Sequence, residues 1–233
     1  MIGSKKVLAV TLARGGSKSI PLKNIALLNG KPLLEYTIDE VKKMEYIDEY
    51  IVSTDHAEIS KVCINNKVTV VPRSRELSQD TTTSADALVD AIERIEKKNG
   101  VKYDFVIEVM CTNPLKNKAD IGSVLEALYF HGHKSVVTVA QIYDHHPSRV
   151  KYIEDGKLKD FHPEVPESRR QDLTPMAFVR NGSVYGMDRD WFMKTKRRYH
   201  EDTYPIIMPA ERTINIDEPM DLMIAEQMIK DRT

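Results

Sequence analysis

The chain has 233 residues, with 34 Lys and Arg against 35 Asp and Glu and a formal net charge of −1 at pH 7. This length allows one large domain with a sizeable core. The balanced charge gives no basic field to attract nucleic acid or a membrane surface, and no apolar run is long enough to span a bilayer. The two cysteines, Cys63 and Cys111, lack zinc or redox spacing and suit a reducing compartment. We therefore expect a cytoplasmic protein that binds small ligands, and neither nucleic acid nor membrane.

Short β-branched runs alternate with helical patterns along the chain. The runs are VLAVTL, YIVST, VTVV, FVIEV and SVVTV. Apolar residues at helical spacing predict a helix between VTVV and FVIEV. Further helices are predicted at about 32–45, 56–65, 118–130 and 219–230. The alternation predicts an α/β fold, with a Rossmann-like, mostly parallel sheet flanked by helices.

The alternation stops at residues 148–176, which are charged, rich in proline and poor in apolar runs. Asp155-Gly156 lies between two short segments of strand character, and this dipeptide is typical of a two-residue hairpin turn. We expect residues 1–147 and 177–233 to form one domain and 148–176 to be an inserted hairpin. The hairpin is either a solvated projection or an arm that contacts a second subunit.

The loop after the first predicted strand, ARGGSKSIPLKN at 13–24, has the composition of an anion-binding site. Open α/β sheets bind ligands at the carboxyl ends of their strands. Gly15 and Gly16 allow a close approach of the backbone, and Arg14, Lys18 and Lys23 match phosphate oxygens. The loop fits neither GxxxxGK[ST] nor GxGxxG, which argues against an ATPase, a kinase or a dinucleotide-dependent dehydrogenase. The alternative is an ordinary glycine turn with solvated lysines.

A series of motifs resembles the acylneuraminate cytidylyltransferases, also called CMP-sialic acid synthetases. The motifs occur in the family's order: LARGGSKSIPLKN, STD at 53–55, RSRELSQDTTTS at 73–84, TNPLK at 112–116, HHP at 145–147, AFVRNGSVY at 177–185 and INIDEPMDL at 214–222. The resemblance covers most of the chain. It implies a nucleotidyltransferase that joins CTP to a nonulosonic (sialic-acid-like) sugar acid, releasing pyrophosphate.

The resemblance also implies roles for the residues of the first loop and of one later motif, at 73–84. Arg14 and Lys23 would contact the triphosphate and assist catalysis. The predicted CTP-binding residues are Arg14, Gly15, Gly16, Ser17, Asn24, Arg73 and Ser84. A helix N-cap is the alternative role of Ser84.

The INIDEPMDL segment supplies the implied metal site. Mg²⁺ is the expected cofactor, with Asp217 as catalytic metal ligand and Asn215 beside it, where the family typically has a second aspartate. An amide in place of a carboxylate should weaken Mg²⁺ binding. Without the resemblance, Asp217 could equally be an N-cap.

For the sugar acid, the resemblance points to Arg149, Arg170, Asn181 and Tyr185. Arg170 falls in the inserted hairpin, so the family suggests a homodimer in which this arm completes the neighbour's sugar pocket. His145 and His146 are adjacent and lack the spacing of metal ligands on one helical face.

Two departures from the family's motifs leave the acceptor open. Met110 stands where the family often has glutamine, and it could serve packing alone, whereas Arg149 stands where lysine is common. The alternatives are a cytidylyltransferase for another acid, such as Kdo, and a non-catalytic nucleotide-binding relative.

Overall fold

The computed structural model describes residues 1–161 and 169–231. The main sheet has seven strands in the order β11-β7-β10-β6-β1-β4-β5. Every neighbouring pair is parallel except the two pairs that contain β10, which runs antiparallel to β6 and β7. The strands are β1 Val7–Leu12, β4 Glu49–Thr54, β5 Thr69–Pro72, β6 Phe105–Val109, β7 Ser135–Ile142, β10 Ala177–Asp188 and β11 Tyr204–Ile207. Two short strands, β2 Leu27–Leu28 and β3 Lys31–Pro32, pair outside this sheet.

In the described part of the chain, six α-helices accompany the sheet. Where a helix was predicted, the observed helix begins and ends close to the predicted bounds. The helices are α1 Leu33–Lys42, α2 Ala57–Asn65, α3 Ser84–Asn99, α4 Lys118–Phe130, α5 Arg189–Thr195 and α6 Pro219–Lys230. The predicted α/β fold with a mostly parallel sheet is confirmed. None of the helices within the described residues combines the length and the apolar character that a bilayer crossing requires.

Two hydrophobic clusters cover the two faces of the sheet. On one face, Leu88 and Ile92 of α3 and Phe192 of α5 pack against Leu8 and Val106 of the central strands. On the other face, the apolar side of α4 packs against alternate residues of the same strands. Each central strand is therefore buried on both faces, which explains its continuous apolar sequence.

The inserted hairpin consists of two strands joined by the predicted turn. Strands β8 Lys151–Glu154 and β9 Lys157–Asp160 pair antiparallel on either side of Asp155 and Gly156, which both have positive φ. All four residues of β9 are exposed. Residues 162–168 and the side chain of Arg170, which belong to the predicted arm, lie outside the described part of the structure.

Candidate active site

A cavity of 380 Å³ opens where β1 and β6 end, beside the loop that follows β1. We call it the loop cavity. Most of the predicted nucleotide-binding residues line it, namely Arg14, Gly16, Ser17, Lys23, Asn24, Arg73 and Ser84. Met110 lines it as well and also packs against the core. The fold therefore brings together residues from three separate motifs at the carboxyl edge of the sheet.

Two cations of the first loop share one carboxylate. Arg14 Nη2 and Lys18 Nζ each lie 2.9 Å from a different oxygen of Asp80. The Lys18 ammonium and then the Arg14 guanidinium lower the pKa of the Asp80 carboxyl below its ordinary value. Because the two cations already converge on the oxygens of one anion, the same arrangement suits the oxygens of a phosphate group.

Lys23 carries the third charge of the loop. Its Nζ lies 2.8 Å from Asp217 Oδ1, and Asn215 Nδ2 donates a hydrogen bond to Asp217 Oδ2. Asn215 Oδ1 is buried and has no hydrogen-bond partner among the described residues. Asp217 does not cap α6, since Glu218 is the N-cap residue. The N-cap alternative for Asp217 is therefore wrong.

The donor set around Asp217 restricts how Mg²⁺ could bind. Within residues 1–161 and 169–231, no group of three or more His, Cys, Asp or Glu side chains could hold a metal ion. Asp217 offers one carboxylate, which is 64% exposed, and Asn215 offers one amide oxygen. Mg²⁺ commonly binds through one or two carboxylates together with water and substrate phosphates. These residues thus fit an ion that arrives with a triphosphate.

Asn24 and Arg73 are buried and held firmly at the cavity wall. Asn24 Nδ2 donates to the Arg14 carbonyl, and Asn24 Oδ1 accepts a hydrogen bond from the Cys111 thiol. Arg73 donates from Nε and Nη2 to the side chain and carbonyl of Ser53. Burial lowers the pKa of Arg73, and the Asp55 carboxylate opposes this effect. Asn24 therefore positions the loop, whereas Arg73 presents a fixed guanidinium to the cavity.

The two loop glycines have different surroundings. A Cβ at Gly15 would lie 2.7 Å from the His56 ring, and the Gly15 N–H donates to Asp55 Oδ1. A Cβ at Gly16 would meet no atom within 4 Å. Gly15 does not line the cavity, so its contribution is to let the loop approach the helix that begins beyond His56.

This difference predicts the outcome of a matched pair of variants. We expect Gly15→Ala to lower the free energy of unfolding by about 1–3 kcal/mol, because the methyl group would push the loop away from His56. Gly16→Ala should change it by less than about 0.5 kcal/mol. Urea denaturation of the two variants measures both values, and equal losses would contradict the close packing at Gly15.

Ser84 lines the cavity as the first residue of α3 rather than as its cap. The N-cap is Thr83, whose Oγ1 accepts a hydrogen bond from the Asp86 N–H. The N-cap alternative for Ser84 is therefore wrong, and its hydroxyl is not required to begin the helix.

The predicted sugar-acid residues are more dispersed. Tyr185 is buried on β10, directly opposite Glu108 of β6. Asn181 is also buried, and both ends of its amide are used, since Oδ1 accepts from the Thr138 hydroxyl and Nδ2 donates to Met208 Sδ. Asn181 therefore joins β10 to neighbouring segments, and it does not line the loop cavity. Its contact with a sugar stays a prediction.

The two predicted arginines and the histidine pair lie at the base of the hairpin. Arg149 is exposed at the end of a short 3-10 turn, Pro147–Arg149, and does not line the loop cavity. His146 is buried, and its ring nitrogens contact Ser148 Oγ and the Pro175 carbonyl, each at 2.8 Å. This histidine ties the two ends of the hairpin together. The position of the Arg170 side chain lies outside the described residues.

Two buried charges at the site did not follow from the sequence reasoning. Glu108 is 1% exposed and lines the loop cavity, where its carboxylate pairs with Arg198. Lys116 is 2% exposed, and its Nζ lies within hydrogen-bond distance of Thr37 Oγ1 and the carbonyls of Met110 and Asn113. The signal for Glu108 was present, as a charge inside the apolar run FVIEV. Nothing in the sequence distinguishes Lys116 from a surface lysine.

The chain matches a family model described as cytidylyltransferase over residues 8–224. The chain belongs to the cytidylyltransferase family. The resemblance inferred from the motif series is confirmed.

Three relatives illustrate the range of proteins to which this chain is similar. N-acylneuraminate cytidylyltransferase of Streptococcus agalactiae serotype V is 30% identical over 215 residues, which are 91% of this chain and 50% of that protein. N-acylneuraminate cytidylyltransferase A of Danio rerio is 31% identical over 230 residues, 97% of this chain and 51% of that protein. Post-translational flagellin modification protein B of Campylobacter coli is 25% identical and matches 97% of this chain and 96% of its own length. The chain thus spans about half the length of the N-acylneuraminate relatives it matches.

Solved structures confirm the fold of this chain. CMP:2-keto-3-deoxy-manno-octonic acid synthetase complexed with CTP aligns with a TM-score of 0.74 at 16% identity, over 98% of this chain and all of that one. The 4-diphosphocytidyl-2C-methyl-D-erythritol synthase of Anaerococcus prevotii aligns with a TM-score of 0.66 at 17% identity, over 97% and 96% of the two chains. Both likenesses show a shared architecture.

Proposed function

We propose that the protein transfers CMP from CTP to the anomeric hydroxyl of a nonulosonic acid and releases pyrophosphate. The observation that carries the proposal is the loop cavity itself, where three cations and a buried arginine converge at the carboxyl edge of the sheet in a chain of the cytidylyltransferase family. The sugar-acid class is supported by the N-acylneuraminate relatives.

The described side chains would act mainly by positioning and by neutralising charge. In this proposal, phosphate oxygens replace Asp80 as the partner of Arg14 and Lys18, and Lys23 turns from Asp217 toward the departing pyrophosphate. Arg73 and Ser84 then lie where cytidine is recognised. The anomeric hydroxyl attacks the α-phosphorus in line with the leaving pyrophosphate, so one P–O bond forms as another breaks.

Mg²⁺ is part of this proposal, with Asp217 as the carboxylate ligand and Asn215 beside it. When bound, the ion would offset charge on the phosphate oxygens. Before a triphosphate binds, Lys23 holds Asp217 through their 2.8 Å contact, and Asn215 donates to the second oxygen of the same carboxylate.

The amide at Asn215 should affect how much Mg²⁺ the reaction requires. We expect Asn215→Asp to lower the Mg²⁺ concentration for half-maximal activity by about tenfold, because a second carboxylate attracts the cation more strongly than an amide does. Titration of Mg²⁺ against pyrophosphate release at saturating CTP measures the effect. Asn113→Asp is not a suitable control, because Asn113 is fully buried. An unchanged Mg²⁺ requirement would remove Asn215 from the metal site.

The hairpin supports a second part of the proposal, a homodimer that forms through this arm. Ile153 and Leu158 face each other across β8 and β9, and they are 75% and 73% exposed. Tyr152 alternates with Ile153 and lies on the other face of the hairpin, where its ring centroid is 5.2 Å from that of Phe161. Several adjacent exposed apolar side chains are typical of an interface. A second copy is the favoured occupant because the hairpin projects from the domain as an arm and its turn is of the kind that holds two strands in register.

Charge placed on the arm should prevent this dimer. We expect Ile153→Asp combined with Leu158→Asp to give a monomer by light scattering, since two carboxylates would be buried without partners in the interface. Ile64→Asp is the matched control, because Ile64 is 66% exposed on α2 and lies outside the arm. A dimer that persists in the double variant, or a wild-type monomer, would contradict the arm's role.

The test of the proposed reaction is pyrophosphate release from CTP and Mg²⁺ with N-acetylneuraminic, legionaminic, pseudaminic and Kdo acids in parallel. ATP, GTP and UTP serve as nucleotide controls. We expect turnover only when CTP is the nucleotide and when one of the nonulosonic acids is the acceptor. Turnover with Kdo alone would reassign the acceptor, and CTP binding without turnover on any acid would indicate a non-catalytic relative.

A further inference from the structure

Glu108 is a charged residue at a position that the fold does not require to be charged. It lies on β6 among the apolar residues of FVIEV, and it is 1% exposed. Its Oε2 pairs with Arg198 Nη1 at 2.9 Å. A buried ion pair is often no more stabilising than apolar side chains of the same volume. Stability alone therefore does not account for a carboxylate at this place.

The carboxylate faces a site where a ligand is expected. Glu108 lines the loop cavity, and among the described residues only Arg198 donates a hydrogen bond to its carboxylate. One lone-pair-bearing oxygen, Oε1, is thus left for another donor. Arg198 also lies over the Tyr185 ring, 4.6 Å from its centroid, and so is fixed from a second direction. The pair with Arg198 fixes the orientation of the Glu108 carboxylate, whose oxygens are hydrogen-bond acceptors.

The sheet order separates this carboxylate from the nucleotide residues. Arg73 is bonded to Ser53 on β4, whereas Glu108 lies on β6 and its cross-strand neighbour Tyr185 on β10. Strand β1, which carries the cationic loop, runs between β4 and β6. With cytidine at the Arg73 end and the triphosphate under the loop, the Glu108 end is left for the acceptor.

A second cavity adjoins the loop cavity. Its volume is 620 Å³, and it shares Thr83 and Ser84 with the loop cavity. Arg198 lines it together with Lys196, Arg197 and Glu201. The Glu108–Arg198 pair thus lies between the two cavities, with the carboxylate in the wall of one and the guanidinium in the wall of the other.

We propose that Glu108, oriented by Arg198, is a specificity-determining residue that accepts a hydrogen bond from a hydroxyl or acylamino N–H of the sugar acid. The proposal rests on the proposed function, because it takes the acceptor to be a sugar acid. A carboxylate at this position favours a sugar acid that presents a hydrogen-bond donor there. It rejects one that presents a carbonyl or lacks the group, since the buried carboxylate would then lose its partner.

The variants Glu108→Gln and Arg198→Lys test this assignment. Glu108→Gln keeps the shape of the side chain and removes its charge, and Arg198→Lys keeps the charge but loses the fixed planar geometry. Glu96→Gln is the matched control, because Glu96 forms a similar part-buried pair with Arg189, whose Nη2 lies 2.6 Å from its Oε2, away from both cavities. For each variant, KM for the acid, kcat and the Kd for CTP are measured, with thermal unfolding as a check on folding.

We expect Glu108→Gln to raise the KM for the acid by about tenfold or more and to lower the preference for the acid over its deoxy analogues. In this proposal Glu108 contacts the acid and not CTP, so the Kd for CTP should stay within about twofold and kcat within about threefold. Arg198→Lys should give a smaller rise in the same KM, and Glu96→Gln none. An unchanged KM for the acid, an equal rise in the Kd for CTP, or a fall in kcat alone would overturn the proposal.

Direct binding separates this proposal from the proposed function. Calorimetric titration of N-acetylneuraminic acid into the CTP-bound protein reports affinity without turnover. If the acid binds without pyrophosphate release, and Glu108→Gln weakens that binding, the result would support a contact between Glu108 and the acid and would contradict the proposed reaction. Turnover with no change in acid affinity or KM in Glu108→Gln would support the reaction and contradict the role of Glu108. A wild-type protein that neither binds nor turns over any of the four acids would contradict both the reaction and the role of Glu108.

Discussion

Arg14→Ala is expected to lower kcat/KM for CTP by about 100- to 1,000-fold, because a positioned charged donor to the reacting phosphates contributes on this scale. The guanidinium is placed for this role by its neighbours. Asn24 holds the Arg14 carbonyl, and the side chain is 34% exposed and points at the Asp80 carboxylate, 2.9 Å away.

The neighbouring lysine is the matched control for Arg14. Lys18 contacts the same carboxylate at the same distance, but it is 82% exposed. Solvent screens an exposed charge, so Lys18→Ala should cost less than about tenfold in kcat/KM. Pyrophosphate release measured against CTP concentration gives both values, and equal small losses would mean that the loop does not hold the triphosphate.

Lys116→Met is expected to lower the free energy of unfolding by about 3–5 kcal/mol at pH 7, because it leaves buried polar partners unsatisfied. The ammonium group donates to the carbonyls of Met110 and Asn113 and contacts the Thr37 hydroxyl. These bonds fix the turn between β6 and α4, beside the loop cavity. Lys118→Met is the control, because Lys118 is exposed two residues away and should change the same quantity by less than about 0.5 kcal/mol.

Burial of Lys116 should make the free energy of unfolding depend on pH. Burial lowers the pKa of Lys116 to about 7 from its ordinary value of 10.5, and the nearby Cys111, Glu40 and Asp120 oppose that shift. Between these two pH values the unfolded chain binds a proton that the folded chain has released, so the free energy of unfolding rises with pH. The cost of burying the charge is present in full below about pH 7 and is relieved above it, by up to about 1.4 kcal/mol per pH unit.

Denaturation in urea from pH 6.5 to pH 9.5 measures this slope, as the difference between wild type and Lys116→Met. We expect the difference in stability to grow with pH over this range. A constant difference would show that the Lys116 ammonium stays protonated when buried.

Much of the fold could be predicted from the sequence because its central strands are buried on both faces. Five parallel strands appear as continuous apolar runs, and the helix over them shows its period of 3.6 residues. Strand β10 was missed, since AFVRNGSVYGMD has exposed residues in its first part and two glycines in its second. Strand β11 and helix α5 were missed as well, because β11 contains a proline at the sheet edge and α5 is only seven residues long.

The candidate site was predictable where it depends on local motifs, and less so where it depends on long-range contacts. The loop residues and Arg73 meet because parallel strands end at one edge of the sheet. Asp80 and Arg198 reach the site only through the folded positions of their loops, so no spacing in the sequence indicates them. Asn181 was assigned to the sugar from a motif, and no spacing in the sequence indicates its hydrogen bonds with Thr138 and Met208.

The mass of the nucleotide product, formed from CTP, Mg²⁺ and the four acids in ¹⁸O-labelled water, tests the proposed transfer most directly. Attack by the anomeric hydroxyl gives a CMP-sugar whose phosphorus carries no oxygen from water. CTP hydrolysis instead gives CMP that carries one labelled oxygen. We expect an unlabelled CMP-sugar from wild type and its loss in Arg14→Ala. Labelled CMP alone, or no product from any acid while CTP binds, would contradict CMP transfer by this site.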